Sequence, residues 1–114
     1  MNRYMSGTDL EILLSDMIEA TERTFTANWT QLRPFVELES EHILKSITRI
    51  IGLKQEGRID ETQAAMQMEI QKEAYTSLLL TVEGVRRVQA ENAVNAGLSV
   101  IRSTVNRLLG WALL

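Results

Sequence analysis

Apolar residues recur with a helical period along most of the chain. In the second segment Val36, Ile43, Ile47 and Ile50 share one helix face. A period of about 3.6 residues is typical of amphipathic helices, and the strict alternation typical of half-buried strands is absent. The pattern therefore predicts an all-α protein. The first segment repeats the spacing with Leu10, Leu13, Leu14, Met17, Ala20, Thr21 and Phe25.

Capping and helix-breaking residues predict where the helices begin and end. Thr8, with a glutamate three residues later, matches the capping box that starts a helix. Pro34 is favoured in the first turn of a new helix. Gly57 suits the end of a helix, and Asp60, with a glutamine three residues later, suits the start of the next. These signals predict a single domain, residues 1–114, with helices at about 9–32, 34–56 and 60–113.

The third helix predicted in this way carries two apolar stripes that face different directions. The first stripe consists of Ile70, Ala74, Leu78, Val82 and Val85, and Met17, Met66 and Met68 are expected to fill gaps in the helical core. At about 100° per residue, Val94 in the second stripe lies roughly 160° around the helix from Leu78 in the first. A helix over 60–113 would be about 80 Å long, whereas its antiparallel neighbour would reach only about 33 Å. The second stripe is therefore expected to pack against another copy of the protein, through Val94, Leu98, Ile101, Val105, Leu108 and Ala112.

Two architectures satisfy this pattern. In the favoured one, an antiparallel hairpin or three-helix bundle extends into a long C-terminal helix that oligomerises. In the alternative, the chain breaks near residues 92–97 and folds back as a four-helix up-down bundle. Continuity is favoured because residues 92–97 contain no proline and no tight-turn dipeptide.

Composition excludes several classes of chemistry. The chain of 114 residues has 12 Lys+Arg and 15 Asp+Glu, giving a net charge of −3 that disfavours general nucleic-acid binding. The absence of cysteine excludes disulfides and thiolate metal sites, and the single histidine excludes a two-histidine mechanism within one chain. No phosphate-binding or nucleophile motif is present, so neither an enzyme nor a cofactor is expected.

The location is predicted from hydropathy. Residues 1–7 lack the apolar run of a signal peptide, and the chain lacks a long uncharged apolar stretch of the kind that spans a bilayer. A cytoplasmic or virion-associated protein is expected. Arg102, Arg107 and Trp111 on an amphipathic terminal helix leave a peripheral membrane or lysis-associated role as an alternative.

One pair of residues is a candidate metal-ligating motif. Glu39 and His42 are spaced as Glu-x-x-His, which places both on one side of a helix, as in ferritin-like di-iron proteins. Those sites need two such motifs and further carboxylates, so a site here would have to lie at a dimer interface, with Glu69 or Glu73 as a partner acid. A charged run at the solvated start of a helix is the competing interpretation.

The C-terminal half, residues 51–114, resembles small helical proteins whose functions are mostly unassigned. The segments QEGRIDETQAAMQMEIQKEAYTSLLLTVEGV and AVNAGLSVIRSTVNRLLGWALL are similar to small helical proteins encoded among the structural genes of tailed phages and prophages. Part of QKEAYTSLLLTVEGVRR also resembles the C-terminal helices of rod proteins in type III secretion and flagellar systems. Both resemblances imply a structural component and assign no role to a particular residue.

Three functional hypotheses follow. The first is a non-enzymatic helical assembly protein whose partners are further copies of itself and other structural proteins. The second is a ferritin-like metal protein assembled at a dimer interface. The third is the peripheral membrane or lysis-associated protein.

Overall fold

The computed structural model describes residues 7–114 as an all-α bundle. These residues form four helices: α1 (Gly7–Glu22), α2 (Trp29–Gln55), α3 (Glu61–Leu79) and α4 (Arg87–Leu109). Each helix packs against the next along the chain, and α4 closes the ring by packing most extensively against α1. Short connections make sequential helices antiparallel neighbours. The predicted all-α class is therefore confirmed, in the four-helix arrangement that the sequence left as the alternative.

The boundary between the first two helices lies earlier than predicted. α1 ends at Glu22 and α2 begins at Trp29, so that Pro34 lies inside α2 instead of opening it. The chain reverses at Asn28, whose φ of 65° is left-handed, a conformation that asparagine tolerates better than most residues. Phe25 stacks on Trp29 at a ring-centroid distance of 6.5 Å and anchors this turn to the bundle.

The capping box predicted at the start of α3 is confirmed. The Gln63 amide donates to Asp60 Oδ1 at 2.7 Å, and the Asp60 amide donates to Gln63 Oε1 at 3.0 Å. Gly57 precedes this box with a left-handed φ of 68°, as expected of a residue that ends a helix. These contacts are local in sequence, which is why the spacing alone predicted them.

The long helix predicted over 60–113 is wrong, and so is the position of its possible break. The chain turns at residues 80–86, whereas residues 92–97 are helical. The Thr81 hydroxyl donates to the Leu78 carbonyl at 2.6 Å, which satisfies one acceptor at the end of α3. Gly84 then adopts a φ of 91°, which a residue with a Cβ rarely adopts. The glycine and the neighbouring hydroxyl together make the turn without a proline.

The predicted apolar stripe of α3 is also wrong, which explains the error in the long helix. Ile70 is 67% exposed and Ala74 is exposed. The face of α3 that enters the core instead carries Ala64, Met68, Tyr75, Thr76 and Leu79. The first part of the predicted stripe is therefore a surface face, whereas Leu78 and Val82 are half-buried and Val85 is buried. Once the chain turns after α3, α4 runs back along the bundle and α1 covers its apolar side.

Small residues on α4 allow α1 to approach closely. Ala90, Ala93 and Gly97 are buried on the same side of α4. A Cβ added at Gly97 would lie 2.8 Å from Thr21 Oγ1 and 3.5 Å from the Met17 carbonyl oxygen. The first distance is shorter than normal van der Waals contact. The spacing between α1 and α4 therefore requires glycine at this position.

We expect Gly97→Ala to lower the free energy of unfolding by about 2 kcal/mol, because the methyl group forces α1 and α4 apart. The matched control is Gly52→Ala in α2, where an added Cβ meets no atom of the described chain within 4 Å. That change should raise stability by up to about 1 kcal/mol through helix propensity. Urea denaturation measures both values. Equal stability of the two variants would contradict the close approach.

Candidate functional site

Four of the six residues predicted to form an interface between copies are buried within the chain. Val94 is 2% exposed, Leu98 is 3% exposed, and Ile101 and Val105 are 0% exposed. These side chains belong to the core that α4 forms with the other helices, so they are not accessible to a second folded copy. Of the remaining two, Leu108 is half-buried and Ala112 is exposed.

Because these side chains of α4 are buried in the bundle, the helix exposes little of the apolar face with which it could lie on a membrane surface. α4 directs its apolar side into the bundle, and its outer side carries polar residues such as Asn95, Ser99 and Arg102. Within residues 7–114, no helix combines the length and the apolar character needed to cross a bilayer.

The Glu39–His42 pair lies on the outer part of α2. His42 Nδ1 is 3.7 Å from Glu39 Oε1, and the side chains are 49% and 12% exposed respectively. The two acids considered as partners are engaged elsewhere: Glu69 with Lys72 at 3.1 Å, and Glu73 with Arg87 at 3.0 Å. Across the described residues, no group of three or more histidine, cysteine or acidic side chains is placed to hold a metal ion.

A layer of hydroxyl groups crosses the core of the bundle. Thr21 from α1 and Ser40 from α2 are fully buried, and Tyr75 from α3 is 1% exposed. Thr21 Oγ1 donates to the Met17 carbonyl at 2.8 Å and also lies 3.4 Å from the Ala93 carbonyl of α4. This polar layer therefore touches all four helices, and the sequence analysis did not predict it.

Two hydroxyls of the polar layer lack a hydrogen-bond partner within residues 7–114. They are Ser40 Oγ and the Tyr75 phenol. Burial is the main cause that raises the pKa of Tyr75, and the Glu39 carboxylate raises it further. The Ser40 and Thr21 hydroxyls lie near enough to the phenol to lower its pKa, although neither is in hydrogen-bond geometry with it. A buried hydroxyl without a partner costs about 1–3 kcal/mol, so the layer reduces stability while it distinguishes this helix register from others.

The segment after α4 folds back onto the end of the bundle. Gly110 has a φ of 72°, and the Asn106 Oδ1 atom then accepts hydrogen bonds from the Leu113 and Leu114 amides, both at 3.0 Å. These bonds direct Leu113 into the core, where it is 7% exposed. Asn106 is thus a cap for the folded-back segment.

Lys54 holds the same end of the molecule from α2. Its ammonium group donates to the Leu109 carbonyl and lies 4.7 Å from the centre of the Trp111 ring. A cation over an indole face is attracted by the ring quadrupole. Trp111 is therefore packed on the bundle, and neighbouring Ala112 is directed outward.

The outer face of α3 carries two large hydrophobic residues that are exposed side by side. Met66 is 61% exposed and Ile70, one turn later, is 67% exposed. We call these two residues the α3 ridge. They line a shallow groove of about 610 Å³ together with Ala112 and residues of the first turns of α3. The outward residues beside the ridge include the uncharged Gln63, Gln67, Ala74 and Ser77. The acids Glu61 and Glu69 line the groove as well, and Glu73 is exposed one turn after Glu69.

Sequence reasoning missed the α3 ridge because it assigned Ile70 to a buried stripe and treated Met66 as a core residue. The buried set contains Ala64, Met68 and Tyr75, whose spacing of four and seven residues is also helical. The α3 sequence therefore offers two faces that could be buried, and packing against the neighbouring helices determines which of them enters the core. Only the larger aromatic side chain of Tyr75 could have indicated the correct one.

We expect Tyr75→Phe to raise the free energy of unfolding by about 1 kcal/mol at neutral pH, because it removes a buried hydroxyl without a partner. The pKa of Tyr75 is higher in the folded state than in the unfolded state. The protonated phenol therefore makes its full contribution to the free energy of unfolding below the ordinary tyrosine pKa of 10.0, and this contribution is lost as pH rises above that value.

The stability difference between the wild type and Tyr75→Phe should therefore grow above pH 10.0, in favour of the variant. Urea denaturation across this pH range measures it. Tyr75→Leu is the control, because it removes the ring as well and should destabilise the bundle by about 2 kcal/mol. A Tyr75→Phe variant that is less stable than the wild type at neutral pH would show that the phenol is satisfied in solution.

No protein-family model, curated protein or solved structure matches this chain. The resemblance of residues 51–114 to small phage proteins therefore stays a prediction.

Proposed function

We propose that this protein is a non-enzymatic helical assembly protein that self-associates through the α3 ridge. The observation that carries the proposal is the exposure of Met66 and Ile70, at 61% and 67%, one turn apart on the same face of α3. Interface centres are depleted in charged residues and enriched in methionine. A single exposed apolar residue needs no explanation, whereas two large ones side by side on one helix face favour contact with another protein.

A two-fold symmetric pair of α3 helices uses this face on both copies. With the axis midway between Met66 and Ile70, and the helices antiparallel, Met66 of one copy packs on Ile70 of the other, and the reverse. Such an interface is self-complementary, because the same patch serves both partners. A second copy is therefore a sufficient partner for the ridge.

The charges near the ridge are compatible with this pairing. Glu69 and Glu73 flank it, and each is paired within its own chain, with Lys72 at 3.1 Å and Arg87 at 3.0 Å. Internal pairing reduces the repulsion that acids from two copies would otherwise exert on each other. The ridge can then lose water without leaving isolated charges at its centre.

This proposal keeps self-association, the first hypothesis from the sequence, and relocates its surface. Ala112 is the one fully exposed residue of the predicted interface, and it lies at the edge of the groove beside the ridge. A small building block of a larger structure is also what the resemblance to phage structural proteins favours. Association with such a structure is part of the proposal.

Light scattering on the purified protein tests the interface. We expect the wild type to form a dimer or larger species, and Met66→Asp or Ile70→Asp to weaken association about 100-fold, because each places a charge in a desolvated contact. At moderate concentration both variants should have the monomer mass of 12.9 kDa.

Ile12→Asp is the matched control, since Ile12 is 55% exposed on α1, a helix that does not pack against α3. It should keep the wild-type mass, and circular dichroism should show that all three variants stay helical. Wild-type protein that is monomeric at every accessible concentration would overturn the proposal. Ridge variants that keep the wild-type mass would do so as well.

A further inference from the structure

The contact between α1 and α2 leaves an apolar cleft along the outside of the bundle. Its floor consists of Leu10, Leu14 and Ile18 from α1, with Leu44 and Thr48 from α2. Two hollows, of about 320 Å³ and about 390 Å³, share Leu14 and the neighbouring Glu11. We call these joined hollows the α1–α2 cleft.

The dimensions of the cleft suit a helix. The three floor residues of α1 follow one another at intervals of four, which places them in a row along one side of the helix. From Leu10 to Glu22 the row and its rim extend about 18 Å at the α-helical rise, which is the length of roughly three helical turns. Leu10, Leu14 and Ile18 are only partly buried by the bundle itself, so their outer surfaces remain open to a ligand.

The rim of the cleft carries an excess of negative charge. Within the described chain, its lining includes four acids, Glu11, Glu19, Glu22 and Glu41, and two bases, Arg33 and Lys45. Arg33 pairs with Glu37 at 2.6 Å, Lys45 with the rim acid Glu41 at 3.0 Å, and Glu19 with Arg23 at 3.8 Å. The excess negative charge of the rim therefore comes from Glu11 and Glu22. The field around the apolar floor is therefore negative.

We infer that the α1–α2 cleft binds an amphipathic helix of a different protein, with apolar residues at intervals of three or four flanked by lysine or arginine. A helix laid in an apolar groove buries its apolar face there, and its flanking cations meet the acidic rim. This partner is distinct from the second copy that contacts the α3 ridge, so the inference does not depend on the proposed self-association.

A second copy of this chain fits the cleft poorly. The basic residues of α4, Arg102 and Arg107, are exposed, but the apolar side of that helix is buried in its own bundle. The outer face of α1 carries Asp16 and Glu19, so it would repel the acidic rim of another copy. Charge complementarity thus favours a basic helix from elsewhere.

The probe for this inference is a synthetic leucine–lysine peptide of about 18 residues, with leucines at intervals of three and four and lysines on the other face. A peptide in which every lysine is replaced by glutamate is its control. Fluorescence anisotropy should show that full-length protein binds the lysine peptide, more weakly as salt increases, and does not bind the glutamate peptide.

Protein variants locate the binding surface. Glu11→Lys combined with Glu22→Lys should weaken binding of the lysine peptide at least about tenfold, because it reverses the charge of the rim. The matched control, Glu61→Lys combined with Glu83→Lys, changes the net charge equally at exposed positions outside the cleft and should have a much smaller effect. An equal loss in both double variants would mean non-specific attraction and would overturn the inference.

The apolar floor is tested separately. Leu14→Ala should weaken peptide binding by about tenfold, and amide chemical shifts of the wild-type protein should change mainly in residues 10–22 and 41–48 when the peptide is added. Shift changes centred on the α3 ridge would place the site elsewhere. A Leu14→Ala variant with a lower mass in light scattering would show that a second copy covers the cleft, which would also overturn the inference.

Discussion

The close contact between α1 and α4 is the constraint on which the rest of the structure depends. Gly97 lets the Thr21 hydroxyl come nearer to the α4 backbone than a residue with a Cβ would permit. Because α1 lies so close, it covers Val94, Leu98 and Ile101, which would otherwise be an exposed apolar surface. The chain thereby completes its own core, and the surfaces left for other molecules lie elsewhere, on α3 and along the α1–α2 cleft.

The polar layer lies beside the contact between α1 and α4 and helps to determine the register in which the helices pack. Its three hydroxyls come from three different helices, and the Thr21 oxygen also lies near the Ala93 carbonyl of α4. In this register the Ser40 and Thr21 hydroxyls lie near the Tyr75 phenol, and a shift of α1, α2 or α3 by one turn would separate them. We therefore regard this layer as a feature that disfavours other helix registers, at a cost in stability.

The features that the sequence predicted correctly are those determined by neighbouring residues. The Asp60–Gln63 capping box needs only the spacing of two side chains, and the helical period needs only local order. The features that it missed depend on distant contacts. Ile70 and Tyr75 both lie on plausible faces of α3, and the choice between them is made by packing against the other helices. The turn at Gly84 was missed because a single glycine near the end of an apolar run did not distinguish a turn from a continuing helix. The surfaces proposed for binding follow from that packing, so they could not be read from the sequence.

The placement of the two tryptophans has a consequence for spectroscopy. Trp29 stacks with Phe25 at the first residue of α2, and Trp111 covers Lys54 near the other end of the same helix, about 37 Å away at the α-helical rise. Indole emission therefore originates from both ends of the molecule. Replacing either ring by phenylalanine would leave a single fluorophore, so that fraying at one end could be followed independently of the other.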